Sequence, residues 1–557
     1  MLPTLPPETV AMRTRDGVRL DADIYRPAEA GTYPVLLMRQ AYGRRIACTI
    51  CYAHPSWYAA QGYIVVIQDI RGRGTSEGEF LIGEHDASDG ADTIAWAARL
   101  PGSNGRVGMY GFSYQGYNQL MAAIEAGPAL QAIAPAMTPW DAREGWAWKQ
   151  GALRLQSTLG WATQLAAETA RRRGDADAYA ELAASAKTLP LNESVPAWPQ
   201  YMRRHAALCH YGKWLDTPPE DAYWQRISAA AHAPAIAAKK IPTLFIGGWY
   251  DSYNETVLQA WEDLRARGDW PLRVEIGPWL HFPWTRQVGS QDFGPAAESQ
   301  MDIAQVRWFD RWLKDAPASA ATENGLHVFD LAAHSWKTLP QWPGHELRLA
   351  LSGNGLAALH IGAGRLLAPG TALPQQPGTD YLVNDPWRPA PSVGGPYGTP
   401  PGPVDHTPTD RRGDVMTFDT DRLTAPLLLA GPIEARLHLS ADLPDFDIAC
   451  TLSRVLPDGR AIVLADGYAR TGGTVPGTAV IVAMHATCAT LAAGDALRLS
   501  LAASAFPAYA LNPGTGENPS WIPASQGAIT TLGVHYGPGQ QSELRLTLEQ
   551  PSVSWSA

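Results

Sequence analysis

The sequence has few cysteines, few charged residues and no long apolar run. Its five cysteines in 557 residues do not form the dense, even-numbered set of a disulfide framework. Only 18% of the residues are charged, the net charge is −10, and no cluster of Lys and Arg could form the basic face that nucleic acid requires. No stretch reaches the ~18 apolar residues of a membrane helix, and the N-terminal residues lack the pattern of a signal peptide. We therefore expect a cytoplasmic, globular protein that binds neither nucleic acid nor membranes, and we leave a homo-oligomer open.

Motifs for metals and organic cofactors are equally scarce. Cys48 and Cys51 form a CxxC motif, but a structural zinc site needs a second ligand pair, and Cys209-His210 lies far away in the sequence. The Gly-rich run Arg71–Gly78 has no Gly-Lys-Ser/Thr ending and is therefore not a phosphate loop. We predict that the protein uses neither a metal nor a cofactor.

The chain does contain an alternation of strand-like and helix-like segments. Residues 8–27 alternate polar and apolar side chains around Asp16-Gly17, which predicts a hairpin. Continuous apolar runs begin at Tyr33 and at Gly62, and such runs are typical of buried parallel strands. Because a segment with helical spacing follows at residues 89–100, we predict a mostly parallel α/β sheet.

Two changes of composition divide the chain. From residue 139 to 240, Ala, Arg, Glu and Trp recur at helical spacing, which predicts a helical cap inserted into the sheet domain. Strand-like runs return at Pro242 and Leu272. After residue 324, short alternating segments are separated by Gly and Pro, which predicts an antiparallel jelly-roll β-sandwich. The predicted α/β domain therefore comprises residues 1–138 and 241–323, the cap 139–240, and the jelly roll 324–557.

The segment Gly-Met-Tyr-Gly-Phe-Ser113-Tyr-Gln-Gly116 places a serine among glycines, between an apolar run and a helical sequence. A serine nucleophile must be held clear of the backbone beside a base, and a sharp strand-to-helix turn with small residues does this. Gln115 occupies the position where the general Gly-x-Ser-x-Gly motif has its second glycine. We interpret the turn as a nucleophile elbow with Ser113 as nucleophile; the alternative is an ordinary Gly-Ser turn.

A serine nucleophile needs a base, and the base needs an acid that orients it. Asp251 follows the strand-like run at 242–248, and His281 follows the next run at 272–277. The chain order Ser, Asp, His is that of α/β-hydrolases. We therefore predict a catalytic triad of Ser113, Asp251 and His281 on an α/β-hydrolase sheet with a helical cap insertion, followed by an all-β jelly-roll C-terminal domain.

Four segments of the chain, residues 68–80, 111–116, 249–251 and 277–281, resemble the cocaine esterase and X-prolyl dipeptidyl peptidase family of serine hydrolases. The Gly-x-Ser-Tyr-x-Gly spacing of the elbow is this family's own form. The resemblance implies an oxyanion hole formed by the hydroxyl of Tyr42 and the backbone amide of Tyr114. The alternative role for Tyr42 is that of an aromatic lining residue.

The sequence is rich in tryptophan, with 21 residues, and we predict that Trp140, Trp146, Tyr250 and Tyr253 line the substrate pocket. An aromatic pocket favours a bulky apolar or aromatic acyl group over a highly charged one. The predicted function is hydrolysis of carboxylic esters, and by extension amides, through an acyl-enzyme.

Several alternatives stay open. Within the family, relatives that act on α-amino acyl esters or β-lactams need carboxylates near the triad acid to hold the substrate ammonium, and here Glu255 is the only acidic residue nearby. The X-prolyl dipeptidyl peptidases carry an added N-terminal helical domain that has no counterpart in this sequence. Outside the family, Trp387 and Trp521 would belong to a jelly roll that directs the hydrolase to a carbohydrate. A catalytically silent scaffold is the last alternative.

Overall fold

The computed structural model describes residues 1–46, 48–319, 324–472, 478–550 and 553–556. Within those ranges, no helix combines the length and the apolar character needed to cross a membrane.

The N-terminal part of the chain forms the predicted hairpin and four neighbouring parallel strands. Its elements are β1 (Glu8–Arg13), β2 (Arg19–Tyr25), β3 (Tyr33–Gln40), α1 (Pro55–Ala60), β4 (Ile64–Asp69), α2 (Asp86–Ala97), β5 (Ser103–Phe112), α3 (Tyr114–Glu125) and β6 (Leu130–Ala136). Strands β1 and β2 pair antiparallel, whereas β3 pairs in parallel with β4 and β5, and β5 with β6. The parallel strands are buried on both faces, which explains their continuous apolar runs.

The segment between β6 and the next strand of this sheet, residues 137–242, is mostly helical, as predicted. We call it the insertion. Its elements are β7 (Trp148–Lys149), β8 (Ala152–Leu153), α4 (Leu155–Arg173), α5 (Ala176–Lys187), α6 (Gln200–Arg204), α7 (Tyr211–Asp216), α8 (Ala222–Ile227) and α9 (Ala233–Lys239). Helix α4 ends at Gly174, whose φ of 74° provides the left-handed cap that glycine adopts most easily.

The sheet resumes after the insertion with β9 (Thr243–Tyr250), α10 (Asn254–Arg265), β10 (Leu272–Leu280), β11 (Gln287–Val288), β12 (Gln291–Asp292), α11 (Met301–Leu313), β13 (Gly325–Asp330) and β14 (Ser335–Leu339). The ten strands of the sheet lie in the order β1-β2-β4-β3-β5-β6-β9-β10-β13-β14. The sheet therefore extends past residue 323, where we predicted that the α/β domain ends. The edge hairpin β13–β14 alternates with a two-residue period, like the strands of the following domain, so the pattern did not mark the change.

The C-terminal part is all-β, as predicted, apart from the short helix α12 (Thr407–Asp410) and a 3-10 turn at Ala524–Gln526. Its strands are β15 (His345–Ser352), β16 (Gly364–Leu367), β17 (Gly378–Asn384), β18 (Val415–Asp419), β19 (Leu427–Ala441), β20 (Asp445–Val455), β21 (Ala461–Gly472), β22 (Val480–Leu491), β23 (Ala496–Ala502), β24 (Thr530–Tyr536) and β25 (Glu543–Leu548). They form one sheet in the order β17-β24-β19-β22-β21-β20-β23-β18-β16-β15-β25. An additional β19–β25 pairing closes the nine strands from β19 to β25 of this order into a ring, and β24 and β17 extend from β19 outside it. The strands are antiparallel except at β16–β18.

Candidate active site

Ser113 lies at a sharp turn between β5 and α3. Its backbone has φ 60° and ψ −127°, a conformation that costs a non-glycine residue about 1–3 kcal/mol. The flanking glycines are sterically required, because a Cβ at Gly111 would lie 2.5 Å from Gln115 Cβ, and a Cβ at Gly116 would lie 2.8 Å from the carbonyl oxygen of Ala136. The Ser113 amide donates to that same carbonyl at 2.9 Å. The turn thus has the geometry expected of a nucleophile elbow.

The side chain of Gln115 stabilises the elbow with two hydrogen bonds. Its Oε1 accepts a hydrogen bond from the amide of Phe112 at 3.2 Å, and its Nε2 donates to Gln40 Oε1 at 3.0 Å. Gln40 is the last residue of β3, two residues before Tyr42. The glutamine at the unusual motif position therefore links the serine turn to the segment that carries Tyr42.

Asp251 and His281 follow the ends of two neighbouring parallel strands. Strands β9 and β10 pair in a register that sets Tyr250 opposite Leu280, so the next residues of both strands meet at one edge of the sheet. His281 Nδ1 donates to Asp251 Oδ1 at 2.7 Å, and the Asp251 carboxylate is completely buried. This arrangement fixes the tautomer and orientation of the imidazole, as a general base requires.

The His281 ring packs beside the elbow. Its centroid lies 5.4 Å from the ring of Phe112, the residue before Ser113, and 5.6 Å from the ring of Tyr253. The Ser113 side chain lies near the hydroxyl of Tyr42, where it acts to lower the pKa of that phenol. Across the described ranges, no hydrogen bond joins Ser113 to His281 directly. Catalytic hydrogen bonds are often long or absent without substrate.

The Tyr42 hydroxyl lies between Ser113 and the insertion. Trp161 Nε1, on α4, donates to the Tyr42 oxygen at 3.0 Å. Burial raises the pKa of Tyr42, although Trp161, Ser113 and the charge of Arg73 act in the opposite direction. The phenol is therefore protonated at neutral pH, and a protonated phenol can donate its hydrogen to an oxyanion.

Tyr114 is the first residue of α3, and its amide has no acceptor within the helix. A helix N-terminus also favours negative charge. The side chain of Tyr114 has a separate role, because its hydroxyl donates to the buried carboxylate of Asp86 at 2.6 Å. The geometry is thus compatible with the two oxyanion donors that the family resemblance implies.

The four predicted pocket residues fall into two pairs. Tyr253 packs against His281, and Trp146 lies 5.3 Å from Trp161 and 6.2 Å from Tyr114 between ring centroids. Trp140 instead donates to Asp263 Oδ2 at 3.0 Å, and Tyr250 stacks on Phe293 at 6.4 Å. The structure therefore brings Tyr253 and Trp146 close to the predicted catalytic residues and packs Trp140 and Tyr250 against other partners.

Trp161 is the site residue that our candidate set missed. It is one of many tryptophans in a segment with helical spacing, and nothing in the local sequence distinguishes it. Its contact with Tyr42 depends on how the insertion docks on the sheet, which joins residues 119 positions apart.

Glu255, the only acidic residue close to Asp251 in the sequence, is already paired. It binds Lys149 Nζ, accepts from Arg154 Nη2 at 3.3 Å, and lies 3.7 Å from His485 Nε2. Burial alone would raise the pKa of Glu255, but the charges of Lys149, His485 and Arg154 lower it to about 2. The carboxylate is ionised and neutralised by its neighbours, so it is poorly placed to bind a substrate ammonium.

The five cysteines are free thiols. Burial, followed by the charges of Asp251 and Asp302, raises the pKa of Cys51 to about 12, so this thiol is protonated at neutral pH. Over the residues covered by the structure, no three His, Cys, Asp or Glu side chains are grouped so that they could hold a metal ion.

Comparison with known proteins identifies the class and the family. Residues 16–283 match the X-Pro dipeptidyl-peptidase (S15 family) domain, and residues 306–545 match the X-Pro dipeptidyl-peptidase C-terminal non-catalytic domain. The chain is 31% identical over 568 residues to the cocaine esterase of Rhodococcus sp. (strain MB1 Bresler), covering 97% of this chain and 98% of that protein. The protein is a serine hydrolase. It belongs to the X-Pro dipeptidyl-peptidase (S15) family, as the sequence resemblance predicted, and is similar there to cocaine esterase.

Solved structures confirm the fold class. An aminopeptidase from the marine sediment archaeon Thaumarchaeota archaeon superposes with a TM-score of 0.79 at 23% identity, over 98% of this chain and 96% of that chain. An α-amino acid ester hydrolase superposes with a TM-score of 0.76 at 22% identity, over 98% of this chain and 97% of that chain. The likeness extends to the α/β-hydrolase sheet and the all-β domain together, and at these identities it speaks for fold and not for substrate.

Proposed function

We propose that the protein hydrolyses carboxylic esters with a bulky apolar or aromatic acyl group, through an acyl-enzyme formed on Ser113. The observation that carries the proposal is the 2.7 Å pair of His281 and Asp251 at the strand ends beside the elbow. The family and its similarity to an esterase support an ester as substrate.

In the proposed mechanism, His281 Nε2 takes the proton of the Ser113 hydroxyl as its oxygen attacks the acyl carbon. The tetrahedral intermediate places its negative oxygen between the Tyr42 hydroxyl and the Tyr114 amide. His281 returns the proton to the departing alcohol, and the ester bond breaks. A water molecule, deprotonated by His281, then attacks the acyl carbon of the acyl-enzyme. The bond to the Ser113 oxygen breaks, His281 returns the proton to that oxygen, and the acid is released. Asp251 stays ionised and holds the His281 Nδ1–H throughout.

The preference for an apolar acyl group is supported by the aromatic side chains near the elbow. Phe112 and Tyr253 flank His281. Trp161 donates to the Tyr42 oxygen, and Trp146 packs near Trp161 and Tyr114. Aromatic walls provide large contact area without a fixed charge.

The alternative substrates within the family are α-amino acyl esters, X-prolyl peptides and other amides. The first two carry an ammonium group, and the pairing of Glu255 with Lys149 and Arg154 disfavours its use for that group. For the carbohydrate alternative, Trp387 and Trp521 are both exposed, and Trp521 also packs on Trp198 of the insertion with ring centroids 4.9 Å apart. A cytoplasmic location and a homo-oligomer stay predictions from the sequence.

The proposal is tested by hydrolysis of a panel of aryl esters, an aminoacyl ester and a Gly-Pro anilide. We expect turnover of aryl esters by the wild type and its loss in Ser113→Ala, while Ser290→Ala, at an exposed position, keeps full activity. Labelling of Ser113 by an organophosphonate should be detected by mass spectrometry. Ester turnover that survives Ser113→Ala in a folded protein would overturn the mechanism, and preferential anilide cleavage would overturn the substrate class.

A further inference from the structure

A cavity of about 510 Å³ lies between the loop that follows β4 and the insertion. Its walls include Arg73 and Phe80 from the loop, Leu165 and Thr169 from α4, and His210 from the segment before α7. The predicted triad does not line it. A cavity of this size can hold a small organic molecule.

Arg73 is a buried cation that forms no ion pair with any residue the structure describes. Its side chain is 2% exposed, and the structure gives it one hydrogen bond, a long one from Nη1 to Thr169 Oγ1 at 3.4 Å. Its Nε is buried and unpaired, and the guanidinium lies 4.1 Å above the Phe80 ring. The nearby carboxylate of Glu168 is engaged by Arg171 at 2.7 Å.

A buried guanidinium of this kind is energetically unfavourable unless a bound anion neutralises its charge. Burial lowers the pKa of Arg73 to about 10, so the guanidinium keeps its charge at neutral pH. A buried, charged group without a partner costs far more than a paired one. An arginine fork matches the planar geometry of a carboxylate.

The rest of the cavity also offers donors and few free acceptors. His210 Nε2 is buried and unpaired, and burial, followed by the charge of Arg73, lowers the pKa of His210 to about 3, so the ring is neutral and has one N–H to donate. Arg172 and Lys213 line the same cavity. Of its two acidic residues, Glu79 is paired with Arg173 at 3.1 Å and Glu84 lies 3.8 Å from Lys213.

The cavity adjoins the oxyanion residues through α4. Trp161, which donates to Tyr42, precedes the cavity residue Leu165 by one helical turn, a rise of about 6 Å. The Trp161 ring also lies 4.9 Å from the ring of His210. On the opposite wall, Phe80 packs 5.4 Å from the Tyr114 ring.

We propose that this cavity binds a carboxylate, or a similar anionic group, with the Arg73 guanidinium as its principal partner. The group is either the distal end of an ester substrate or a free anion. If the anionic group belongs to the substrate, its recognition rests on the proposed ester hydrolysis. The existence of the anion site does not rest on that proposal.

Binding without turnover tests the anion site. Isothermal titration calorimetry with terephthalate on full-length Ser113→Ala should show binding that weakens about tenfold or more when Arg73→Gln is added, and less with Arg73→Lys, which keeps the charge. Arg204→Gln, an exposed arginine of the insertion outside the cavity, is the matched control and should bind normally. Equal binding by all four proteins, or none by any, would overturn the site.

Thermal unfolding shows whether a variant of Arg73 is correctly folded. Because Arg73 lacks a counter-ion, Arg73→Met should not lower the melting temperature of the ligand-free protein. Terephthalate should raise the melting temperature of the wild type and leave that of Arg73→Met unchanged. A large drop in the ligand-free Arg73→Met protein would assign the arginine a structural role and overturn the proposal.

Kinetics distinguish the two sources of the anion. The phenyl esters of para-carboxybenzoate and para-methylbenzoate have nearly the same shape and differ in charge. If the anion belongs to the substrate, Arg73→Gln should reduce kcat/KM about tenfold or more for the carboxy ester, mainly through KM, and leave the methyl ester unchanged. Equal effects on both esters, with Arg73-dependent terephthalate binding, would assign the site to a free anion. If the wild type hydrolyses neither ester, the proposed function fails, while the calorimetry still decides the anion site.

Discussion

At the scale of single residues, Tyr42 lies where three parts of the site meet. Its oxygen accepts from Trp161 on one side and contacts Ser113 on the other. Because the phenol is buried, its raised pKa keeps the hydrogen on the oxygen. A neutral donor that is fixed before the reaction stabilises developing negative charge without the cost of reorientation.

The first prediction at this scale concerns Tyr42→Phe. This variant keeps the ring and removes one oxyanion donor, so we expect kcat for an aryl ester to fall about 100- to 1,000-fold with a small change in KM. Steady-state kinetics measure both quantities. Trp161→Phe is the matched control, since it leaves the donor in place and removes only the bond that orients it; its kcat should fall less. A Tyr42→Phe enzyme with wild-type kcat would remove Tyr42 from the oxyanion hole.

At the scale of elements, the β5–α3 turn is held together by a side chain as well as by its glycines. Gln115 belongs to α3, accepts from the last residue of β5 and donates to the last residue of β3. All of these groups are buried, so a broken bond leaves polar atoms without water.

We expect Gln115→Met to weaken the elbow. Methionine fills a similar volume without hydrogen bonds, so the Phe112 amide and the Gln40 side chain would each lose a partner, at a local cost of about 1–3 kcal/mol. The melting temperature and kcat should both fall. Gln259→Met, on the exposed face of α10, serves as control. An unchanged melting temperature for Gln115→Met would show that the turn does not depend on this side chain.

The elements differ in how well their sequences determine them. Strands β3, β4 and β9 are largely apolar runs because both of their faces are buried, and β10 adds the buried ion pair of Arg273 and Glu275 to its apolar residues. Asp251 and His281 were predicted from the ends of β9 and β10. The hairpin β13–β14 joins the ten-stranded sheet beyond the boundary predicted at residue 323, and its pattern could not show this, since an edge hairpin has the same alternation whichever sheet it joins.

Contacts between distant elements could not be predicted from the sequence. The pairing of Trp161 with Tyr42 and of Gln115 with Gln40 depends on side chains brought together only by the folded sheet and its insertion. Local periodicity specifies the face of an element that is buried, and not the partner it meets there.

At the scale of the whole molecule, three parts of the chain meet just behind Asp251. Glu255 on α10 binds Lys149 and Arg154 of the insertion and lies near His485 of the C-terminal domain. Close by, the Tyr397 hydroxyl of the C-terminal domain donates to the carbonyl oxygen of Ser252. The all-β domain therefore supports the loop that carries Asp251, the predicted triad acid, although none of its own residues is a candidate for the chemistry.

This junction gives the protein a defined sensitivity to acid. The folded pKa of Glu255 is lowered from 4.5 to about 2, so the folded state favours the ionised carboxylate. The stabilisation is fully present above the unfolded pKa and is lost as the pH falls through the folded value. Its loss is therefore confined to the range between pH 4.5 and about 2.

We predict that Glu255→Gln lowers the melting temperature at neutral pH and makes the melting temperature vary less with pH in the acid range. Removing one member of a buried charge pair costs about 3–5 kcal/mol, because the cations that remain are unpaired. Melting temperatures of wild type and variant, measured from pH 7 to pH 2, should converge below pH 4.5, where the unfolded state takes up a proton while the folded carboxylate stays ionised down to about pH 2. Glu298→Gln changes an exposed acid without an ion pair in the described structure and should follow the wild-type curve. Parallel curves for wild type and Glu255→Gln would show that other groups set the acid limit and that the three parts are held together by their apolar contacts.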